Sequence, residues 1–155
     1  MIHSVGTTPN LGYLIHHLAF ALDRQSDQVL QERLGIGFSQ FKIMMAVKWK
    51  NAVQQKRIAS YLSQTEASVS RQVRLLHKQG YIESHVNPKS RREHITTLTA
   101  KGERMIERAM QVLNDYHSPM VEQLSPKKQA QLIESLQILR NYVCGKYKDW
   151  SQADE

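Results

Sequence analysis

Apolar residues recur at helical spacing near the start of the chain. Between Leu11 and Leu34 they recur at helical steps of one or two turns opposite a polar face, and the glycines of "LGIG" at 34–37 follow. This periodicity is typical of an amphipathic helix that buries one side. The pattern therefore predicts one long helix over 11–34 that ends at these glycines.

Three shorter helical patterns come next. "QFKIMMAVKWK" directly follows Ser39, a good N-cap residue, and "QKRIASYLS" forms the second pattern. The third, "EASVSRQVRLLHKQG", has Thr65 as its N-cap and ends at Gly80, where a residue with left-handed backbone is expected. Its inward face carries Val69, Val73 and Leu76. The spacing thus predicts three short helices in succession.

The pattern changes to alternation after Gly80. "YIESHV" and "HITTLT" are two short strand-like runs, and "NPKSRRE" between them holds an Asn-Pro turn signal and three cations. Two such runs joined by a turn indicate a β-hairpin. We therefore expect a hairpin whose connecting loop is basic.

Two long helices are predicted to complete the chain. The first begins after Thr99, covers about 100–117 and ends at Pro119, because proline cannot continue a helix. The second has Ser125 as N-cap and Pro126 as its first residue. Its heptad-like stripe contains Leu132, Leu136, Leu139 and Val143. The predicted fold class is mainly α with a small β-hairpin wing, a winged helix-turn-helix flanked by terminal helices.

The net charge of +7 is concentrated in the middle of the chain. Residues 39–104 contain thirteen basic and four acidic residues, a net +9, whereas 1–38 and 105–155 each carry −1. A cationic middle between near-neutral ends indicates a polyanion-binding module inserted between elements with another task.

Composition excludes several other classes of protein. No apolar run is long enough to span a bilayer, and the segment "MIHSVGTTPN" lacks the features of a signal peptide. The single cysteine, Cys144, cannot form an internal disulfide, and we expect it to be a small packing residue. The expected location is the reducing cytoplasm, without a membrane partner.

The outward face of the helix that follows Thr65 is suited to DNA. Small residues lie near its start and cations further along: Ala67, Ser68, Ser70, Arg71, Arg74 and Lys78. Small residues permit close approach to a major groove, and arginine can bind phosphates or the acceptor edge of guanine. By itself this helix leaves open the alternative of an ordinary solvated face.

The hairpin loop favours the DNA interpretation. It carries Lys89, Ser90, Arg91 and Arg92. A solubilising loop usually mixes both signs of charge, whereas here Glu93 alone offsets three cations. An arginine inserted into a minor groove gains from the negative potential there. We therefore expect the loop to contact DNA beside the helix.

A longer segment, "SVSRQVRLLHKQGYIESHVNPKSRREHITTLTAKG", resembles the recognition helix and wing of the MarR (multiple antibiotic resistance regulator) family. The family's wing reads roughly Asp-Pro-x-Asp-x-Arg and is followed by Leu-Thr-x-x-Gly, matched here by Leu98, Thr99 and Gly102. "GFSQFKIMMAV" and "RIASYLSQTEASVSR" resemble the helices that precede it, so the likeness spans roughly residues 11–117.

The resemblance implies roles for individual residues. Arg92 matches the wing arginine that enters the minor groove, and Ser70 and Arg71 match contacts made by the recognition helix. Two positions depart from the family pattern. Ser90 stands where an aspartate usually braces the wing arginine, which puts the rigidity of the wing in doubt, and Ser84 occupies a position that is often arginine.

The flanking helices are expected to form a two-fold dimer, because two half-sites one helical turn apart require one. We assign 1–38 to an N-terminal dimerisation helix, 39–104 to the DNA-binding lobe and 105–155 to C-terminal dimerisation helices. The predicted interface contains Leu11, Leu14, Leu18, Leu132, Leu136, Leu139 and Val143. The alternative use of these residues is an intramolecular core, and both uses can coexist.

The resemblance also implies a small aromatic or anionic effector in a cleft between the lobe and the dimer helices. Candidate lining residues are Tyr13, His16, His17, Phe20, Phe41 and Met45. A histidine in the cleft can pair with a carboxylate and respond to pH. The simpler alternative is that these are core aromatics and partly exposed histidines.

Other chemistries find no support in the sequence. It contains no phosphate loop, no GxSxG and no HExxH, so we expect neither an enzyme nor a cofactor. Its seven histidines lack metal-ligand spacing, and we expect no metal site. The sequence predicts a homodimeric transcriptional regulator, a ligand-responsive repressor on a pseudo-palindromic operator. The alternative is a winged-helix protein–protein adaptor.

Overall fold

The computed structural model describes residues 10–50 and 53–146, apart from the side chains at positions 92, 93, 144 and 146. The predicted packing role of Cys144 and the N-terminal segment 1–9 therefore lie outside the described residues. Within the described part the elements are α1 (Leu11–Leu34), α2 (Phe38–Lys50), α3 (Gln55–Tyr61), α4 (Glu66–Lys78), β1 (Ile82–Asn87), β2 (Ser90–Leu98), α5 (Ala100–Val121) and α6 (Pro126–Lys146). This order confirms the predicted fold class.

The first helix begins and ends where the sequence predicts. The Asn10 side chain accepts a hydrogen bond from the Tyr13 amide at 3.2 Å, which satisfies one free donor of the first turn. At the other end Gly35 adopts a left-handed backbone with φ of 67°, and its amide bonds the carbonyl of Gln31. A residue without a Cβ enters this conformation at little cost, so the helix ends there.

The start of α2 differs from the prediction, because Ser39 is not its N-cap. The helix begins at Phe38, and Ser39 lies inside its first turn. The Phe38 amide donates to the Asp27 carboxylate of α1 at 2.8 Å, and the Gly37 amide donates to the Gln40 side chain at 3.0 Å. These two acceptors satisfy the backbone amides of Gly37 and Phe38. The helix therefore begins at Phe38, before Ser39.

The helix α4 is bounded by the two predicted residues. Thr65 accepts a hydrogen bond from the Ser68 amide at 3.2 Å, and Gly80 has a left-handed φ of 76°. The inward face is buried at Val69, Val73 and Leu76, as expected.

The core lies around α2, which supplies more of its fully buried apolar side chains than any other described element. Ile43, Met44 and Val47 of this helix are at most 1% exposed. Leu30 of α1 and Ile106 of α5 complete the core with the inward faces of α3 and α4. The second half of α1 and the first half of α5 therefore fold together with the helix-turn-helix.

The hairpin is formed, but its connecting loop is shorter than predicted. Only Pro88 and Lys89 form the turn, since the Asn87 side chain accepts the Lys89 amide at 3.0 Å and closes it tightly. Arg91 and Arg92 therefore lie on β2 and not in a loop. Between the antiparallel pairs Asn87↔Ser90 and Val86↔His94 the register shifts, so residues 91–93 form a bulge opposite no residue of β1.

The base of the hairpin is attached to the helices on either side. The Thr99 hydroxyl donates to the Gly80 carbonyl at 2.6 Å and accepts the Gly102 amide at 3.0 Å, which makes Thr99 the N-cap of α5. Its own amide bonds the Tyr81 carbonyl at 3.1 Å. Val53 adds an isolated bridge to Thr96 of β2. These bonds fix the orientation of the hairpin relative to α4.

Pro119 does not end α5, contrary to prediction. The helix runs through it to Val121, and the Glu122 amide bonds the Ser118 carbonyl at 2.9 Å. Proline removes only the one donor that would bond residue 115, and its neighbours retain theirs. The helix therefore continues beyond 117 for one more turn.

The last helix projects away from the core. It starts at Pro126 as predicted, with the Gln129 amide bonded to the Ser125 carbonyl at 3.0 Å. Among its described side chains only Gln129 is half-buried, and the others are exposed. Residues 11–20 of α1 are likewise exposed throughout. Across the described residues, no helix is both long and apolar enough to cross a membrane.

Candidate nucleic-acid interface

The outward face of α4 places the predicted DNA-binding side chains on one accessible surface. Ser68 and Ser70 are half-buried near the start of the helix. The exposed residues are Ala67, Arg71, Arg74 and Lys78. Since the opposite side of the helix is buried in the core, this face alone can approach a partner.

Side-chain hydrogen bonds hold α4 to α2 at both ends. In the turn before α4, Gln64 donates to the Ser39 hydroxyl at 3.3 Å, while Ser63 adopts a left-handed φ of 52°. At the far end, Gln40 of α2 donates to the Gln79 side chain at 3.5 Å. The helix therefore presents its cations from a fixed position.

The cations of this face have no acidic partner among the residues that the structure describes. Arg71 and Lys78 form no ion pair with any residue that the structure describes, and Arg74 only donates to the Ser70 carbonyl of its own helix at 3.4 Å. Unpaired cations gathered on one face repel one another, and an external anion relieves that repulsion. This part of the molecule is thus suited to a polyanion.

The hairpin extends the cationic surface beyond α4. Lys89 at the turn and Arg91 in the bulge are exposed, and Ser90 between them is half-buried. Ser90 makes no side-chain hydrogen bond with the described residues, and its effect on the wing arginine stays a prediction. Arg92 belongs to the bulge by its backbone, and the role of its side chain stays a prediction.

A polar groove at the base of the hairpin was not predicted from the sequence. It has a volume of about 370 Å³ and is lined by Gln54, Gln55, Ser84 and His94. Alternation along the strands would have placed Ser84 and His94 on one face of the hairpin. The approach of residues 54 and 55 is a tertiary contact, which no local pattern reveals.

The predicted effector-binding residues fall into two groups. Tyr13, His16, His17 and Phe20 are all exposed on α1. The rings of Tyr13 and His17 stack with centroids 5.9 Å apart. On α2, Phe41 is buried in the core and Met45 is half-buried against it. An effector site at these residues therefore stays a prediction.

The predicted interface residues are exposed in the single chain. Their exposed fractions lie between 38 and 57%: Leu11, Leu14, Leu18, Leu132, Leu136, Leu139 and Val143. The alternative that these residues form an intramolecular core does not hold within the described structure of one chain. They form apolar faces on two projecting helices.

A helix-turn-helix with a cationic outward helix, continued by a cationic hairpin, defines a winged-helix DNA-binding protein. The family model described as a winged helix DNA-binding domain (HTH_34) matches residues 39–117. The uncharacterized HTH-type transcriptional regulator YdcH of Bacillus subtilis (strain 168) is 30% identical over 117 residues, which cover 72% of this chain and 79% of that protein. The chain belongs to the MarR family of winged helix-turn-helix transcriptional regulators.

Solved structures agree with this assignment. The crystal structure of wild-type MarR from E. coli in its apo form superposes with a TM-score of 0.79 at 25% identity, and the match covers 86% of this chain and 98% of that one. A mutant E. coli MarR complexed with operator DNA matches with a TM-score of 0.69 at 25% identity, over 83% of this chain and 92% of that one. The resemblance inferred from the wing and recognition helix is confirmed.

Proposed function

We propose that the protein is a homodimeric, sequence-specific repressor that binds a pseudo-palindromic operator and responds to a small aromatic or anionic effector. One observation carries the proposal: the same chain presents a cationic surface on α4 and the wing, whose described cations form no ion pair, and exposed apolar faces on α1 and α6. The first surface suits a polyanion, and the second suits another copy of the chain.

The dimer follows from the apolar faces. Leu14 and Leu18 of α1, and Leu132 and Leu136 of α6, are each roughly half exposed. Monomeric proteins rarely leave such contiguous apolar surface in water. A two-fold pair would bury it and would also set two copies of α4 at the separation that two half-sites need. In this arrangement 1–38 and 105–155 form the dimerisation part around the lobe 39–104.

Operator binding assigns a groove to each cationic element. The N-terminal half of α4 enters the major groove, where Arg71 reads base edges or phosphates. The wing enters the adjacent minor groove, where Arg92 is attracted by the negative potential. A mutant MarR was solved with operator DNA, which supports this assignment by family membership.

We assign effector binding to the predicted cleft between the DNA-binding lobe and the dimer helices, beside α1. Its exposed aromatic and histidine side chains lie on the same half-helix as the proposed interface. A partner chain placed against this half-helix would enclose them. An effector bound there changes DNA affinity only if it binds one spacing of the two lobes more tightly than the other.

The first experiment selects genomic fragments that the purified protein retains, and then measures affinity for the best duplex. The double variant Arg71→Ala, Arg92→Ala is expected to bind it more weakly at physiological salt. Loss of one base-reading arginine costs about 1–3 kcal/mol, roughly five- to 150-fold in affinity. Arg71→Ala alone should also flatten sequence preference, whereas Arg92→Ala should lose affinity through the minor groove.

Lys127→Ala is the matched control, because Lys127 is an exposed cation on α6, outside α4 and the wing. It should bind the duplex as tightly as the wild type. Equal affinity of the double variant and the wild type would refute the site. A wild-type protein that retains no fragment would favour the protein–protein adaptor instead. If the wild type does bind a duplex, a screen for compounds that release it identifies the effector class.

A further inference from the structure

The first turn of α5 makes a direct bond to the end of the recognition helix α4. The Lys101 ammonium donates a hydrogen bond to the backbone carbonyl of Gln79 at 2.6 Å. Gln79 is the C-cap residue of α4, so this carbonyl belongs to the acceptors that a helix leaves without a partner at its end. The function proposed above gives this bond no role.

A cation is well suited to this position. The carbonyl end of a helix carries a partial negative charge, and a hydrogen bond from a charged donor is stronger than one from a neutral donor. The Lys101 ammonium also lies 4.8 Å from the centroid of the Tyr81 ring, which is a cation–π distance. Tyr81 is buried at the base of the hairpin. Lys101 therefore contacts both the end of α4 and the start of the wing.

The helix α2 holds the same junction through two other side-chain contacts. Gln40 of α2 is buried and donates to the side chain of Gln79 at 3.5 Å. Glu103, two residues after Lys101 on α5, pairs with Lys48 of α2. The end of α4 and the first turn of α5 are thus each attached to α2, and Lys101 joins them to one another.

The helix α5 connects this junction to the proposed dimer interface. Its first half is buried in the core at Ile106 and Ala109. Beyond them, Met110, Tyr116 and Met120 are 40 to 43% exposed, so the second half carries apolar surface outside the core. A rigid helix can carry a change of orientation from one end to the other. The bond at Lys101 therefore lies between the dimer helices and α4.

Resting on the proposed function, we propose that Lys101 is a positioning residue: it holds the end of α4 against α5 and so sets the separation of half-sites that the dimer accepts. Lys101 makes no contact with DNA in this role. A dimer binds two half-sites together only when the separation of its two α4 helices matches the operator. A looser junction lets each lobe turn separately, and the order lost in the free dimer must be restored on binding.

The test measures affinity for a selected operator, for duplexes with one base pair inserted or removed between the half-sites, and for a duplex with a single half-site. Lys101→Met removes the charge but keeps an apolar stem. This variant should bind the best operator about three- to tenfold more weakly and should lose most of the preference for its spacing. Its affinity for the single half-site should stay close to that of the wild type, because each lobe is intact.

Three further variants serve as rescue and control. Lys101→Arg should restore affinity and spacing preference, because a guanidinium can donate to the same carbonyl and cover the same ring. Lys101→Gln also removes the charge and should show the loss if Lys101→Met fails to fold. Arg104→Met is the matched control, since Arg104 is an exposed cation one turn further along α5 that forms no ion pair with a described residue. It should keep the spacing preference.

The salt dependence separates a positioning residue from a phosphate contact. Loss of one neutralised phosphate lowers the slope of log affinity against log salt concentration by about 0.9. Lys101→Met should keep the wild-type slope. A slope lowered by this amount, with an equal loss on the single half-site, would make Lys101 a DNA contact and overturn the proposal. A lower melting temperature without any change in spacing preference would reduce its role to stability and overturn it as well.

Two further outcomes separate this inference from the function on which it rests. If the wild type binds selected duplexes and the folded Lys101→Met binds every duplex equally well, the bond at Lys101 does not position α4, and the regulator stands. If the wild type retains no duplex at all, the proposed function fails, and this inference fails with it.

Discussion

Gly102 illustrates how one residue fixes the junction between wing and helix. It lies in the first turn of α5, directly against the peptide of Tyr81 at the base of the hairpin. A Cβ built at this position would lie 2.1 Å from the Tyr81 carbonyl oxygen, which is backbone and cannot move aside. The glycine of the Leu-Thr-x-x-Gly pattern is therefore required by close approach, since its φ is not in the left-handed region.

The substitution Gly102→Ala should accordingly destabilise the protein by about 1–3 kcal/mol, the usual cost of overpacking. Thermal unfolding at a fixed protein concentration measures the change. Gly145→Ala is the control, because a Cβ there meets nothing within 4 Å. That variant should match or slightly exceed the wild type, since alanine favours a helix. An unchanged melting temperature for Gly102→Ala would contradict the close approach.

Residues whose partners are near in sequence were predicted correctly. Thr65, Thr99 and Ser125 bond groups three or four residues ahead, and such local bonds are visible in sequence. The start of α2 was wrong because its acceptor, Asp27, lies eleven residues before Phe38 on another helix. The groove residues were missed for the same reason, since the two glutamines meet the hairpin only after folding.

At the scale of elements, a single residue proved a weaker signal than the whole pattern. The stripe of α5 predicted its helix, whereas Pro119 predicted an end that the structure does not have. The wing alternation likewise predicted a hairpin, but not the bulge that places Arg91 on β2. A periodic pattern combines the preferences of many residues, whereas the effect of one proline or one turn depends on the contacts it makes in the folded protein.

Because α5 continues through Pro119, Pro119→Ala restores a donor to an existing helix. We expect it to stabilise the protein by about 2 kcal/mol, which is the helix penalty of proline less the entropy that proline removes from the unfolded chain. Chemical denaturation at constant protein concentration measures this difference. A loss of stability would instead indicate that the distortion at Pro119 is needed, for example to direct the start of α6.

At the scale of the whole molecule, the sequence identified the apolar stripes but not their partners. The stripe of α1 divides in two: Val29 and Leu30 are buried in the core, whereas Leu11 to Leu18 are exposed. The spacing of apolar residues along a helix is the same whether the apolar face packs on the core of its own chain or on a second copy of the chain. Only the fold distinguishes them, because it locates the core around α2 and leaves α6 outside it.

A charge placed in the α6 stripe tests the dimer. Leu136 is 45% exposed in one chain and belongs to the proposed interface. Leu136→Asp would bury a carboxylate twice in a two-fold interface, at about 2 kcal/mol for each copy. The dimer dissociation constant should then rise by roughly a thousandfold. Sedimentation equilibrium measures this constant, and circular dichroism checks that the lobe stays folded.

The neighbouring Gln137→Asp supplies the control, because it adds the same charge to an exposed polar position of the same helix. It should remain dimeric. The monomeric Leu136→Asp should also lose operator affinity although its α4 is intact, since one lobe contacts one half-site only. A Leu136→Asp variant that stays dimeric at micromolar concentration would move the interface away from α6. Full operator affinity in a proven monomer would remove the need for two-fold symmetry altogether.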